Sequence, residues 1–294
     1  MAISYRYHVG SLLAVFLALL LGVLVGIGLT SRPEEFEQRQ AELDLKYEEL
    51  QKAHEQDTAN LQQQLREQET VSKEAVAAVI AGRLPGKRVA IILNHDFGRD
   101  RFPDALRALV TQSGAVLTST TTITRDFVTL PAEVKEKVER RLLLYPPPGT
   151  HIRSLIAEAF AKDLARGRPA LVSELVGAGL LRAGAGSDYS KAVDAVVVVG
   201  GLASSGQGAA DRIDLPLIDA LLKERVRVVA CESTAAQVSC IPVYESAGIP
   251  TVDNADTLAG RMSLVLALAG AEGNFGVKET ADRLLPQVPP PGVR

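Results

Sequence analysis

Tryptophan is absent from this chain of 294 residues, and phenylalanine and tyrosine bring the aromatic content to only 4%. Stacking platforms for nucleic-acid bases or for sugars are therefore not expected. The net charge is −3, so the chain also lacks the excess of basic residues that attracts nucleic acid. We expect no nucleic-acid partner.

Side chains that bind soft metals or catalyse reactions are scarce as well. There are two cysteines, two methionines and four scattered histidines (His8, His54, His95 and His151). Two cysteines are too few for a fold built on disulfides. The sequence contains no recognisable Ser–His–Asp, H-E-x-x-H or paired-carboxylate pattern. We expect a protein that is not an enzyme and has no catalytic residues.

One long stretch near the N-terminus has no charge. Val9–Leu29 is apolar, and no charged residue lies between Arg6 and Arg32. At about 1.5 Å per residue the run spans roughly 30 Å, which is the thickness of a bilayer core. A cleaved signal peptide would have a shorter apolar region of about 7–15 residues and a clear cleavage site. Residues 1–31 are therefore predicted to be an uncleaved transmembrane anchor, whose orientation the flanking Lys and Arg residues do not decide.

Small residues repeat at intervals of four within this anchor. Ala14, Ala18, Gly22 and Gly26 would share one helix face. Such a face lets two helix backbones approach closely in lipid. The alternative is that Gly and Ala are simply common in membrane helices. We expect the anchor to form a homodimer through these four residues.

A polar helical stalk is predicted at residues 32–81. Pro33 suits the first position of a helix, and residues 34–78 contain neither Gly nor Pro. Leu43, Leu50, Leu61 and Leu65 fall near the a and d positions of heptads, with a polar interruption between them. The favoured interpretation is a parallel dimeric coiled coil with a weak middle. The alternative is a single helix folded back on the following domain.

An α/β domain is predicted at residues 82–285, followed by a Pro-rich tail at 286–294. Short β-branched runs alternate with amphipathic stretches, as in a Rossmann-like or flavodoxin-like parallel sheet covered by helices. The predicted strands are Arg88–Leu93, Ala115–Ile123, Ala195–Val199, Val226–Ala230 and Pro250–Val252. The predicted helices are Pro103–Ser113, Pro131–Leu143, Ile152–Arg166, Ala170–Leu181, Leu215–Lys223 and Ala255–Ala269, with a turn at Pro146–Gly149.

A Gly/Ser-rich segment, GGLASSGQG, begins at Gly200 and Gly201, directly after the strand AVVVV. Ligands of open α/β sheets bind at the carboxyl ends of strands, so this segment is a candidate cradle for an anion or nucleotide. It matches neither G-x-G-x-x-G nor a Walker motif. We favour a flexible strand-to-helix connection.

Short polar side chains cluster before the last predicted helix at Asp253, Asn254, Asp256 and Thr257. Their oxygen atoms suit a hard cation. A helix N-terminus prefers the same residue types, because an Asp or Asn cap and a nearby acid offset unpaired N–H groups and the helix dipole. We favour helix capping.

Cys231 and Cys240 lie nine residues apart. Three arrangements are open: separate unlinked thiols, a disulfide, or a weak site for a soft metal such as Cu(I). Separate thiols are favoured, and the metal site is the least favoured of the three.

Two segments resemble the MctB-type copper transporter family of envelope proteins. They are SYRYHVGSLLAVFLALLLGVLVGIGL at the N-terminus and TVDNADTLAGRMSLVLALAG, followed by GNFGV, near the C-terminus. The resemblance covers nearly the whole chain and implies a single-pass cell-membrane protein whose soluble domain lies outside the cytoplasm, or an outer-membrane location as in mycobacterial relatives. It also implies a role in copper transport or homeostasis, with copper as a possible ligand.

The resemblance further implies a structural or ligand-binding role for the signature positions Asp253, Asn254, Asp256, Thr257, Gly260 and Arg261. It offers no catalytic residues. The alternative function is a non-transporting coiled-coil scaffold, or a regulator of a cell-wall enzyme, with an envelope protein as its partner.

Overall fold

The computed structural model describes residues 5–30, 33–142, 151–201 and 210–287. The predicted turn Pro146–Gly149, most of the Gly/Ser-rich segment and nearly all of the Pro-rich tail lie outside these residues. The chain forms two compact units, Met1–Glu69 and Thr70–Arg294. The predicted boundary between stalk and domain, at residues 81 and 82, stays a prediction.

The described residues of the first unit form helices, and none of their described side chains is buried in a core. Helix α1 is Tyr5–Thr30, and helix α2 begins at Pro33 and continues to Ile80, into the second unit. Within α1, His8–Gly28 has a mean hydropathy of 2.7, and none of it is buried. The predicted apolar helix, long enough to cross a membrane, is confirmed. The leucines at 43, 50, 61 and 65 on α2 are exposed, and the coiled coil stays a prediction.

The second unit is an α/β fold. Its strands are β1 (Arg88–Leu93), β2 (Val116–Ile123), β3 (Leu181–Ala183), β4 (Ala195–Val199), β5 (Arg227–Cys231), β6 (Thr251–Val252) and β7 (Asn274–Phe275). Its helices, after the end of α2, are α3 (Phe102–Gln112), α4 (Arg125–Thr129), α5 (Ala132–Leu142), α6 (Ile152–Arg166), α7 (Pro169–Gly177), α8 (Leu215–Lys223), α9 (Ile241–Ser246) and α10 (Leu258–Leu268). A π-helical turn, Ala210–Asp214, precedes α8.

The seven strands form one sheet in the order β3-β2-β1-β4-β5-β6-β7. All neighbouring pairs are parallel except β2 and β3, so the predicted parallel-dominated sheet is confirmed. The central strands β1 and β4 pair in register from Val89 opposite Ala195 to Leu93 opposite Val199. Over these paired residues both strands are apolar, because helices cover both faces of a parallel sheet.

Alternate residues of the central strands enter two separate hydrophobic clusters, one on each face. Ile92 and Val198 belong to the cluster that contains α6 and α8. Ile91 and Val197 belong to the cluster that contains α3 and α10. Ile80, at the end of α2, also packs into this second cluster. The last turns of α2 are therefore part of the α/β core.

Several predicted elements are wrong in extent, and short ones were missed. The helix predicted to reach Leu181 ends at Gly177, because Gly179 adopts a φ of +80° and the chain turns into the antiparallel strand β3. The last helix begins at Leu258 instead of Ala255. Strands β3 and β7 have only three and two residues, so they carry no alternation that a sequence could reveal.

Candidate functional site

The two halves of the C-terminal signature meet in space. Asp253 follows β6 and is buried. Its carboxylate oxygens accept hydrogen bonds from the backbone N–H groups of Val277 and Lys278, each at 2.8 Å. We call Asp253 together with the segment Asn274–Lys278 the clasp. Because both carboxylate oxygens are already bonded to backbone, Asp253 holds the C-terminal segment onto the sheet.

Two signature glycines are required because other atoms approach them closely, a side-chain carboxylate at Gly276 and a backbone carbonyl at Gly260. A Cβ on Gly276 would lie 1.9 Å from an oxygen of Asp253, at a φ of +148°. A Cβ on Gly260, in α10, would lie 1.9 Å from the carbonyl oxygen of Asn254. Real Cβ atoms do not approach oxygen so closely, so only glycine fits at either position.

The other signature residues also make internal contacts. Thr257 caps α10, with its hydroxyl accepting from the N–H of Gly260 at 3.0 Å. A residue of the cluster therefore caps the helix, as favoured from the sequence, but the cap is Thr257 and not an Asp or Asn. Asp256 accepts from the N–H and the hydroxyl of Thr234, at 2.7 and 2.6 Å. Burial would raise the pKa of Asp256, but the hydrogen bonds from Thr234 outweigh it and the pKa lies below its ordinary value. The amide oxygen of Asn254 and the Nε of Arg261 are buried without hydrogen-bond partners among the described residues.

An ion pair with one buried member extends the clasp. Glu232 follows β5 and is completely buried, and the ammonium of Lys278 pairs with its carboxylate. Glu232 also accepts from the hydroxyl of Ser239 at 2.7 Å and from the N–H of Cys240 at 3.0 Å. Sequence reasoning missed this pair, because 46 residues separate its members and neither residue stands in a recognisable motif.

The two cysteines do not meet. Both are free and buried, so the disulfide considered above is not formed. Cys231 belongs to the hydrophobic cluster with α3 and α10, whereas Cys240 belongs to the cluster on the opposite face of the sheet. Burial raises the pKa of both thiols, which favours the neutral form over the thiolate that binds Cu(I). The structure therefore does not bring the two together as a copper site.

No other obvious metal site takes their place. Within residues 5–30, 33–142, 151–201 and 210–287, no three His, Cys, Asp or Glu side chains are grouped so that they could hold a metal ion. The four anchor residues Ala14, Ala18, Gly22 and Gly26 lie along one side of α1, and a Cβ on either glycine would meet no neighbouring atom within 4 Å.

A buried polar network lies at the carboxyl ends of β1 and β4. The amide nitrogen of Asn94 donates to the hydroxyl of Tyr244 at 3.1 Å and to Asp214 at 3.3 Å. The Tyr244 hydroxyl donates to Asp214 at 2.8 Å. Burial and the neighbouring Asp214 raise the pKa of Tyr244 well above its ordinary value. A Cβ on Gly200 would lie 2.7 Å from the Tyr244 ring, so this glycine is needed for packing at the network.

A cavity of about 380 Å³ opens beside this network, at the carboxyl ends of β1 and β2. Its walls are residues 94–96 after β1, Ile123 and Thr124 at the end of β2, and Arg125, Val128 and Thr129 of α4. His95 links the cavity to the network, because its Nδ1 lies 2.7 Å from the amide oxygen of Asn94. Sequence reasoning named Gly200 and Gly201 but missed the cavity, since its described walls come from two segments that lie far apart in the sequence.

Comparison with known proteins supports one family over nearly the whole chain. A family model described as "Copper transport outer membrane protein, MctB" matches residues 2–286. Proteins named "Copper transporter MctB" from Mycobacterium bovis and Mycobacterium tuberculosis are each 26% identical to this chain over 306 aligned residues. These alignments cover 93% of this chain and 96% of the mycobacterial proteins.

Proposed function

The chain belongs to the MctB family of copper transport outer membrane proteins, and from this membership we propose that it is a membrane-anchored envelope protein that takes part in copper transport. The observation that carries the proposal is the family match over residues 2–286, which includes both the apolar helix and the α/β unit. In this proposal α1 crosses the membrane once, and the α/β unit, with a Rossmann-like strand order, lies outside the cytoplasm.

The proposal includes a homodimer formed through the anchor and the stalk. The large apolar side chains of α1 and α2 support it, because a helix that exposes such side chains to water needs lipid or another helix to cover them. Leu43, Leu50, Leu61 and Leu65 are each at least 60% exposed and supply a seam for a parallel coiled coil.

Replacing both Gly22 and Gly26 by isoleucine tests the anchor part of this dimer. Bulky side chains at these positions would separate two closely packed backbones and weaken association by about tenfold or more. The readout is the fraction of cross-linked dimer of the full chain in detergent, as a function of protein concentration. Gly28→Ile is the matched control, because Gly28 is two residues from Gly26 and so lies on a different face of α1. A wild-type chain that runs as a monomer would rule out the dimer.

A non-transporting role is the second candidate. In it, the stalk presents the α/β unit to an envelope protein such as a cell-wall enzyme. Two observations favour this candidate: the described residues contain no cluster of metal-binding side chains, and the two thiols lie on opposite faces of the sheet. Neither candidate requires that the chain be an enzyme.

Copper tolerance of a host that lacks this protein separates the two candidates. If the protein transports copper, its loss should change both the copper tolerance and the cellular copper content, and the wild-type chain should restore both. A chain with Cys231→Ser and Cys240→Ser should restore them equally, because the thiols are buried in separate clusters. Immunoblots check that the variant is present at normal levels. Unchanged copper content on loss of the protein, with an altered cell wall, would contradict transport and support the scaffold.

A further inference from the structure

We propose that the cavity at the carboxyl ends of β1 and β2 binds a small hydroxylated anion, with Arg125 holding its carboxylate or phosphate group and His95 accepting a hydrogen bond from its hydroxyl group. This inference goes beyond copper transport and does not depend on it. It rests on the position of the cavity, the charges at its walls and the way in which His95 is held.

The cavity lies where open α/β sheets bind ligands. From β1 the sheet extends through β2 to one edge and through β4 to the other, so the chain connections diverge between β1 and β4, and the cavity lies on the β1 side of that point. The crevice outside the carboxyl ends of the strands at such a point is the usual ligand site in these sheets. A volume of about 380 Å³ also falls within the range of small-molecule pockets, roughly 300–1,000 Å³.

Among the described residues of the cavity wall, one cation is not engaged by a carboxylate. Asp96 is the only carboxylate among the described residues that line the cavity, and Arg182 binds it at 2.8 Å. The hydrogen bond from Arg182 lowers the pKa of Asp96 to about 2, so this carboxylate is ionised and already paired. Arg125 is exposed and makes no ion pair with any described residue. A guanidinium in this position is suited to a carboxylate or a phosphate group.

A second guanidinium stands at the edge of the cavity. Arg153, at the start of α6, donates through Nη2 to the carbonyl oxygen of Thr129 at 2.8 Å. Because Thr129 is part of the cavity wall, this hydrogen bond holds the guanidinium of Arg153 near the cavity, where its charge adds to the positive potential. An anion is therefore favoured over a neutral ligand.

His95 is held with one ring nitrogen committed to the protein. The amide nitrogen of Asn94 donates to Tyr244 and Asp214, which leaves the amide oxygen facing Nδ1 of His95. An amide oxygen only accepts hydrogen bonds, so Nδ1 carries the proton. The ring also stacks on Phe97, with centroids 4.0 Å apart.

The other ring nitrogen of His95 is then an acceptor. Burial lowers the pKa of His95 below its ordinary value, although Asp96 and Asp100 oppose this shift, so the neutral ring is favoured at neutral pH. A neutral ring with its proton on Nδ1 has a lone pair on Nε2. That lone pair accepts from a hydroxyl group and repels a bare anion, which is why the ligand is expected to carry both groups.

Binding measurements on the full chain in detergent test the proposal, with glycerol 3-phosphate and glycerate as the probes. At least one of them should bind, and whichever binds more tightly identifies the anionic group. Arg125→Ala should weaken binding by about tenfold to a hundredfold, the loss of a charge-assisted hydrogen bond. Arg101→Ala is the matched control, since Arg101 is an exposed arginine before α3 and is not among the described residues that line the cavity. It should bind like the wild type.

A second pair of probes tests His95. Glycerate should bind more tightly than propionate, which has the carboxylate but no hydroxyl group, and His95→Phe should remove this preference while keeping a ring against Phe97. Melting curves verify that each variant is folded. The proposal is overturned if neither probe binds at about 10 mM, if uncharged glycerol binds as tightly as the anions, or if Arg125→Ala leaves binding unchanged. No copper is used in these measurements, so failure to bind an anion would leave the transport proposal unaffected. Failure of the copper-tolerance experiment would likewise leave the anion-binding proposal unaffected.

Discussion

Gly260→Ala is expected to destabilise the α/β unit by about 3 kcal/mol, at the upper end of the cost of overpacking a tight core. The new Cβ would lie 1.9 Å from the carbonyl oxygen of Asn254 and 2.4 Å from its carbonyl carbon. These are backbone atoms, so no side-chain rotation relieves the clash. Urea unfolding of the full chain in detergent, followed by brief proteolysis at each urea concentration, measures the free energy of unfolding.

The direction of the change in stability separates the effect of packing from that of helix propensity. Gly260 lies inside α10, where helix propensity alone would make alanine more stable than glycine by about 1 kcal/mol. Gly177, at the end of α7, is the matched control, since a Cβ there would meet nothing within 4 Å. Gly177→Ala should be neutral or slightly stabilising. Equal stability of the two variants would show that α10 does not pack tightly on the Asn254 carbonyl.

Lys278→Met is expected to cost about 3 kcal/mol, because it leaves the carboxylate of Glu232 buried without its cation. Ser239 and the N–H of Cys240 still donate to Glu232, so the carboxylate keeps two hydrogen bonds but no opposite charge. Adding Glu232→Gln to the same chain should recover much of the loss, since the buried group is then neutral. The same urea and proteolysis experiment provides the free energies for a double-mutant cycle.

An exposed ion pair provides the comparison. Lys191 pairs with Asp188 at 3.2 Å, and both side chains are more than 40% exposed. Lys191→Met should leave the free energy of unfolding nearly unchanged, as is usual for pairs in water. If Lys278→Met changed the free energy of unfolding as little as Lys191→Met, the buried carboxylate of Glu232 would not depend on Lys278 as its counter-ion.

Both predictions concern the segment that carries the family resemblance. Asp253 binds the backbone after Gly276, and Lys278 from the same segment reaches Glu232. Substitutions here would lower copper tolerance, if at all, through the amount of folded protein. Loss of function in such variants should therefore be compared with the measured stability and protein level.

Features encoded by neighbouring residues were predicted from the sequence. The apolar helix could be predicted, and is confirmed, because a membrane span is a run of consecutive apolar residues of defined length. The strands Arg88–Leu93 and Ala195–Val199 and the helix Ile152–Arg166 have the predicted bounds, because continuous apolar runs and helical periodicity are local patterns. The family could also be recognised from the sequence, since each of the two segments that resemble it is a continuous run of residues.

Features that depend on contacts between distant residues were decided by the tertiary structure. The spacing of the two cysteines was compatible with a disulfide. The packing shows instead that Cys231, in β5, belongs to the cluster on one face of the sheet, whereas Cys240, just before α9, belongs to the cluster on the opposite face. The clasp joins Asp253 to a segment 24 residues later, and the polar network joins Asn94 to Tyr244 across 150 residues. The sequence by itself determined which segments are apolar, helical or extended, because those preferences act over one or a few turns. The sheet order formed the clasp, the ion pair and the cavity, each from residues that are far apart along the chain. It did so because the carboxyl ends of parallel strands meet at one edge of the sheet.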